Sequence, residues 1–546
     1  MLNFLRTKSI IIISLSFVLV LNSCYKESKI DKNKVFRYNE SANITTLDPA
    51  FAKDQAIIWA CNQIYNGLVE LDSNLNIKPS IAKSWEISPD GKTYTFIIRD
   101  DIYFHSHPLF KGKRKVVASD FVYSFNRIVD PNIASPGAWI FNLVERKNNK
   151  YSFFSPNDST LIIQLQKPFS PFLGLLSMPY SFVVAKEIVE NYGQDYRKNP
   201  VGTGPFYFKY WKEGVKLVLR KNNHYFEKDE KGNPLPYLEA VSISFIIDKQ
   251  SVFLEFVKGN IDFISGIDPN YKDEILTRQG KLQEKYKERI NLSTTPYLNT
   301  EYLGFMIDEN LSPKNNPLMN KKIRQAINYG FDREKMIKYL RNKIGYAGNY
   351  GIIPVGLPGF DTTGKRYYYS VERSRELLKE AGFPNGKGLP PITLQTTATY
   401  LDLCKYIQAQ LNLIGFDIKI DVNPPGALRE MISQSKSLWF RGSWIADYPD
   451  AENYLSLFYS KNFCPIGPNY THFSNSRFDM LYEKSQGETD INKRVEYYKE
   501  MNNLIIEESP IIVLYYDQVL RFTQKNIINL EPNPMNLLIL KNVRKI

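Results

Sequence analysis

The chain has 546 residues, 43% of them hydrophobic and 23% charged. That length is too great for a single core, so two or three domains are expected, and the composition excludes a generally disordered chain. The net charge is +13, but the longest basic block is Lys111-Gly-Lys-Arg-Lys115 and elsewhere lysines and glutamates are interspersed, which reads as a solvated basic surface and not as a nucleic-acid partner site.

The first 23 residues carry Arg6 and Lys8, an apolar run from Ile10 to Leu21, and Asn22-Ser23 before Cys24. Positive charge, a short apolar stretch and a small residue at the cut make a secretory signal, and the run is too short for a comfortable membrane span. Leu21-Asn-Ser-Cys24 resembles a bacterial lipobox. The resemblance implies cleavage before Cys24 and acylation of that cysteine, so that acyl chains hold the protein on the membrane without a spanning helix. Residues 24–34 then read as a tether. The other cysteines, Cys61, Cys404 and Cys464, show no Cys-x-x-Cys spacing, so structural zinc is not expected. Cys404 falls on the stripe Leu401, Cys404, Ile407, Leu411, Ile414 and reads as a core thiol, as does Cys61; a Cys61–Cys464 disulfide is left open.

Leu47-Asp48-Pro49 precedes a helical run through Ile57, Ile58, Cys61 and Ile64. Two strands flank the Pro89-Asp-Gly91 turn, a hairpin signal. Phe121 to Val129 is helical, with Ser119 as its expected N-cap, and leads into a loop ending at Trp139. His105 and His107 alternate on a strand, but two ligands without a third do not make a metal site. In Val201-Gly-Thr-Gly-Pro205 the proline removes an N–H that a phosphate-binding nest would need, so a turn returning the chain to the first domain is the better reading. Strands follow at 216–220 and 241–247, then a short helix at 251–257. A new domain starts near 292 with a strand from Pro296. Helices are expected at 321–329, after an Asp332 cap with Phe331 and Met336 as a hydrophobic staple, and at 371–381, stopped by Gly382. Strand 392–396, helix 401–414 and strand 416–422 form a βαβ unit. Helix 496–508 and strand 511–516 follow.

Between the last two groups lies the most informative stretch, Trp439-Phe-Arg-Gly-Ser-Trp-Ile-Ala-Asp-Tyr-Pro-Asp450. It reads as a strand that something approaches closely at Gly442, ending in a turn and a helix. Asp447 therefore stands just past the carboxyl end of a strand, where ligands collect in open α/β sheets. Arg441 and Trp444, three apart, point to opposite faces. Asp447 could also cap the following helix, but Asp450 is available for that.

Six segments occur in the order found in one family: Leu47-Asp-Pro, the Trp85 to Tyr123 region, Val201-Gly-Thr-Gly-Pro, Arg324-Gln-Ala-Ile-Asn-Tyr, Ala381-Gly-Phe-Pro and Trp444-Ile-Ala-Asp. The chain resembles the extracytoplasmic peptide-binding proteins of ABC importers, solute-binding protein family 5. The resemblance implies an α/β, two-lobed periplasmic-binding-protein-like fold (type II) with an additional domain and a ligand cleft between the lobes. The implied domains are 35–69 plus 190–291 plus 515–546 for the first lobe, 70–189 for the extra domain and 292–514 for the second lobe, with two crossover strands at the hinge. The implied partners are a peptide ligand, membrane permease subunits and, through acylated Cys24, the membrane; the protein is expected to be a monomer without cofactor, metal or catalytic residues. Carried over, Asp447 pairs with the peptide's α-ammonium beside Trp444 and Ser443, Arg441 helps with its carboxylate, and Trp139 follows a loop that sends an aromatic over the ligand. Ala52 to Asp54 line the cleft, with Lys53 where the family has an acid. That replacement keeps other solutes open: a nickel chelate, haem, an oligosaccharide or a signalling peptide. A surface hydrolase is the reading from another class, but Gly-x-Ser-x-Gly and His-Glu-x-x-His are both missing from the sequence.

Overall fold

The computed structural model describes residues 31–546 apart from 267, 269 and 270. Cys24, the leader and most of the tether lie outside the described residues. Among the described residues no helix is long and apolar enough to cross a membrane.

An eleven-stranded mixed sheet runs through the molecule. At one end Phe206–Lys212, Lys216–Lys221, Ala240–Ser244, Val35–Asn39 and Phe263–Ser265 lie side by side; at the other, Trp439–Ile445, Ile392–Thr396 and Ile418–Val422 do. Two long antiparallel strands, Ile290–Phe305 and Ile511–Gln524, join the ends. The far half of Ile511–Gln524 pairs with Phe263–Ser265, and the far half of Ile290–Phe305 pairs with Trp439–Ile445. Their mutual ladder breaks in the middle: Pro296 lies opposite Gln518, but Thr300 lies opposite Tyr516. Three residues, 297 to 299, thus face one, and Pro296 has no N–H to give the ladder. Both strands are longer than the sequence reading expected, because each finds a second set of partners across the break.

The extra domain is built on a four-stranded antiparallel sheet containing Ala82–Ile87, Thr93–Ile98, Thr160–Gln164 and Phe153–Asn157. Gly91 adopts φ +69° in the hairpin turn. Helix Ala118–Val129 begins earlier than expected, and the Ser119 cap gives way to Asp120, whose carboxylate accepts from the Val117 N–H at 2.9 Å. Asp48 ties this helix to the first lobe: it accepts from the Ala50 N–H at 3.0 Å and receives a fork from Arg127. Gly202 and Gly204 lie so close to the carbonyl end of helix Gln55–Ile64 that a Cβ at Gly204 would sit 2.5 Å from the Ile64 carbonyl carbon. They form the expected return turn, closed by the Gly204 N–H donating to the Ile64 oxygen at 2.8 Å. His105 serves that turn through the Gly204 carbonyl at 2.9 Å, and burial lowers its pKa to about 4, while His107 meets Tyr192.

In the second lobe Asp332 caps Arg333–Leu340 by accepting from the Lys335 N–H, with Phe331 and Met336 fully buried beside it. Strands Ile392–Thr396 and Ile418–Val422 are parallel around helix Leu401–Asn412. Cys61, Cys404 and Cys464 are buried free thiols.

Candidate functional site

A cavity of about 290 Å³ lies between the lobes and against the extra domain. Its first-lobe wall is Ala52, Lys53, Gln55, Ile58 and Trp59, with Met535 to Leu537 alongside. That wall is fixed from behind. Trp59 Nε1 donates to the Asn536 carbonyl at 2.8 Å, and Ser135 Oγ holds the Ala50 carbonyl at 2.6 Å. The extra domain contributes Trp139 and Ser177 to Tyr180. Gly137 is required here, because a Cβ would sit 2.2 Å from the Tyr180 ring. Tyr180 can therefore lie flat against the chain just before Trp139 emerges, 37% exposed, with its ring 6.3 Å from that of Tyr448. The second lobe supplies Ile445 to Asp447, and the bulge supplies Tyr297.

Asp447 is open to the cavity but closely surrounded by protein. Burial raises its carboxyl pKa above the ordinary value, and a hydrogen bond from Asn453 Nδ2 at 3.2 Å opposes the rise only in part. No cation compensates it among the described residues. Asn453 holds the turn together: its Oδ1 accepts from both Trp444 Nε1 at 2.8 Å and the Asp447 N–H at 3.1 Å. Asp447 does not cap the following helix, Glu452–Leu455, whose N-cap is Ala451; Asp450, one residue earlier, accepts from the Glu452 N–H at 2.9 Å in an Asx turn. Tyr180 has its pKa pushed up to about 12 by burial, then by the charges of Asp447 and Asp54.

The structure therefore brings Lys53, Trp139 and Asp447 together. It places Trp444 behind Asp447 and not in the wall. Ser443 lies half-buried opposite Glu301 in the sheet. Asp54 precedes helix Gln55–Ile64, exposed, without capping it through its side chain. Arg441 is held elsewhere. On the sheet face opposite Trp444 it forms a buried ion pair with Glu301, and its guanidinium lies over the Tyr400 ring, 3.3 Å from the centroid. The close approach at Gly442 comes from the protein itself: a Cβ there would meet the Tyr302 ring at 2.7 Å. Tyr180, Tyr297 and Met535 to Leu537 were not anticipated. They come from a short 3-10 turn, a bulge and an irregular tail, none of which has a periodic signal.

The model of the bacterial extracellular solute-binding proteins, family 5, matches residues 76–463. The chain belongs to this family. Among its relatives are the dipeptide-binding protein of Escherichia coli (strain K12), 25% identical over 503 residues and 88% of each chain, and the glutathione-binding protein GsiB of Salmonella typhi, 26% identical over 499 residues, 89% of this chain and 90% of that one. Solved structures agree. The periplasmic binding protein DppA from Helicobacter pylori, in complex with peptide STSA, has a TM-score of 0.75 at 25% identity, covering 94% of this chain and 98% of that one. HbpA2 from Haemophilus parasuis has a TM-score of 0.80 at 23% identity, covering 94% and 100%. The two-lobed fold expected from the sequence is thus the one observed, and the protein is an extracytoplasmic solute-binding protein.

Proposed function

We propose that this family 5 protein captures peptides outside the cytoplasmic membrane and delivers them to the permease of an ABC importer. Asp447 carries the reading. A carboxylate closely surrounded by protein and without a cation partner favours a ligand that brings one, and the α-ammonium is the cation that every unmodified peptide brings. Trp444 supports that corner from behind through Asn453, and Trp139 covers the ligand from the extra domain. Variable side chains are accommodated where water completes their hydrogen bonds. The names of the E. coli and H. pylori relatives support the same ligand class. Cleavage of residues 1–23 and acylation of Cys24 keep the protein at the membrane on the 24–34 tether, and the protein acts as a monomer with the two-lobe-plus-extra-domain division given above.

Native mass spectrometry of the protein as purified tests the ligand class. Peptide masses, together with stoichiometric thermal stabilisation by added peptides and no turnover, are expected. A nickel chelate, haem or oligosaccharide mass, or peptide cleavage, would overturn it.

A further inference from the structure

Resting on the peptide reading above, we infer that Lys53 is the anchor for the ligand's carboxylate, so that the protein selects short peptides with both termini free. Among the described residues lining the cavity, Asp447 is the only anion and Lys53 the only cation. All other lining side chains are neutral. Lys53 is exposed and has no ion-pair partner among the described residues. The arginine that would otherwise serve a carboxylate is spent: Arg441 is paired with Glu301 and stacked on Tyr400, outside the cavity wall.

The two charges also stand on different lobes. Lys53 follows Pro49–Phe51 in the first lobe, where Asp48, Arg127 and Ser135 fix the backbone. Asp447 follows Trp439–Ile445 in the second. A zwitterion lying between them bridges the lobes with an ion pair at each end, so closure is favoured only when both ends are present. Size points the same way. The cavity of about 290 Å³ is at the small end of the ~300–1,000 Å³ usual for ligand pockets. An extended chain advances roughly 3.5 Å per residue, so the termini of a di- or tripeptide stand on the order of 7–10 Å apart. A longer peptide would carry its carboxylate past Lys53.

Calorimetry on the full chain with the dipeptide Ala-Phe, its C-terminal amide and its N-acetyl derivative tests this, in the wild type, Lys53→Met and Lys53→Arg. The wild type is expected to bind the free dipeptide about tenfold more tightly than the amide, the scale of a partly solvated ion pair. Lys53→Met should bring the free dipeptide down to the amide's affinity without changing the amide, and Lys53→Arg should restore the preference. Equal binding of free acid and amide, or equal losses of both in Lys53→Met, overturns the role of Lys53; if the N-acetyl peptide is then still rejected, the Asp447 reading survives. An N-acetyl peptide bound as well as the free one, with the amide still disfavoured, removes Asp447 and leaves Lys53. Binding of none of the three overturns both.

Discussion

Arg441→Met removes the cation from a pair whose side chains are only 13% (Arg441) and 4% (Glu301) exposed. Breaking a buried pair from one side costs about 3–5 kcal/mol, because the remaining charge stays desolvated. Glu301 keeps a hydrogen bond from Asn299 Nδ2 at 3.2 Å, which places the expected loss near the lower figure. About 3 kcal/mol corresponds to a fall of roughly 6–12 °C in melting temperature for a unit of 150–250 residues. Circular dichroism melts at neutral pH read this directly. The double variant Arg441→Met/Glu301→Gln should recover part of the loss, since no unpaired charge then remains. The preference for free over amidated peptides should persist in Arg441→Met. A variant that melts like the wild type but no longer distinguishes acid from amide would show that Arg441 is a ligand group, as its place in the sequence motif first suggested.

Asp447 makes binding pH-dependent. Its pKa in the empty cavity is raised by burial, and an ammonium ligand lowers it, so binding releases a proton. Affinity for free-amine peptides should fall as pH drops through that raised value, and fall again above about pH 8 as the peptide's α-amino group loses its proton; titration in buffers of different ionisation enthalpy measures the proton released at the acid end. Glu40 has its pKa raised by burial to about 7, against the Ala42 N–H that lowers it. With the folded value above the unfolded one, its contribution is favourable below the unfolded value and is lost as pH rises through 7. Glu40→Gln should therefore stabilise at pH 8 by about 2 kcal/mol and have little effect at pH 4, measured by urea unfolding. Gly204→Ala forces the return turn off the end of helix Gln55–Ile64 and should cost about 2 kcal/mol or more; an unchanged melt would mean the turn yields freely.

Much of this fold was readable because local chemistry and global structure agree in it. Gly382, Asp332 with its staple, and the Pro89-Asp-Gly91 hairpin each act within a few residues, and each does in the structure what the sequence implies. The βαβ unit was legible from periodicity alone. The place of Asp447 on a cavity wall was legible because it stands between the end of strand Trp439–Ile445 and the turn that follows. What escaped detection depends on distant partners. Arg441 looked available until Glu301, 140 positions away, proved to sit across the sheet from its neighbourhood. Tyr297 reaches the cavity only because a ladder slips by two residues, and Met535 to Leu537 only because Trp59 and Arg521 hold the tail in place. No window of sequence contains those pairs.

The affinity of Asp447→Ala for a free-amine peptide, set against its affinity for the N-acetylated form, reaches the heart of the matter. If the carboxylate exists to meet an ammonium, the free peptide should lose at least about thirtyfold, the low end for truncating a buried charge partner, while the acetylated one, already weak, should hardly change. Equal losses for the two would mean that Asp447 merely shapes the turn, and that the cavity recognises its guest by other means.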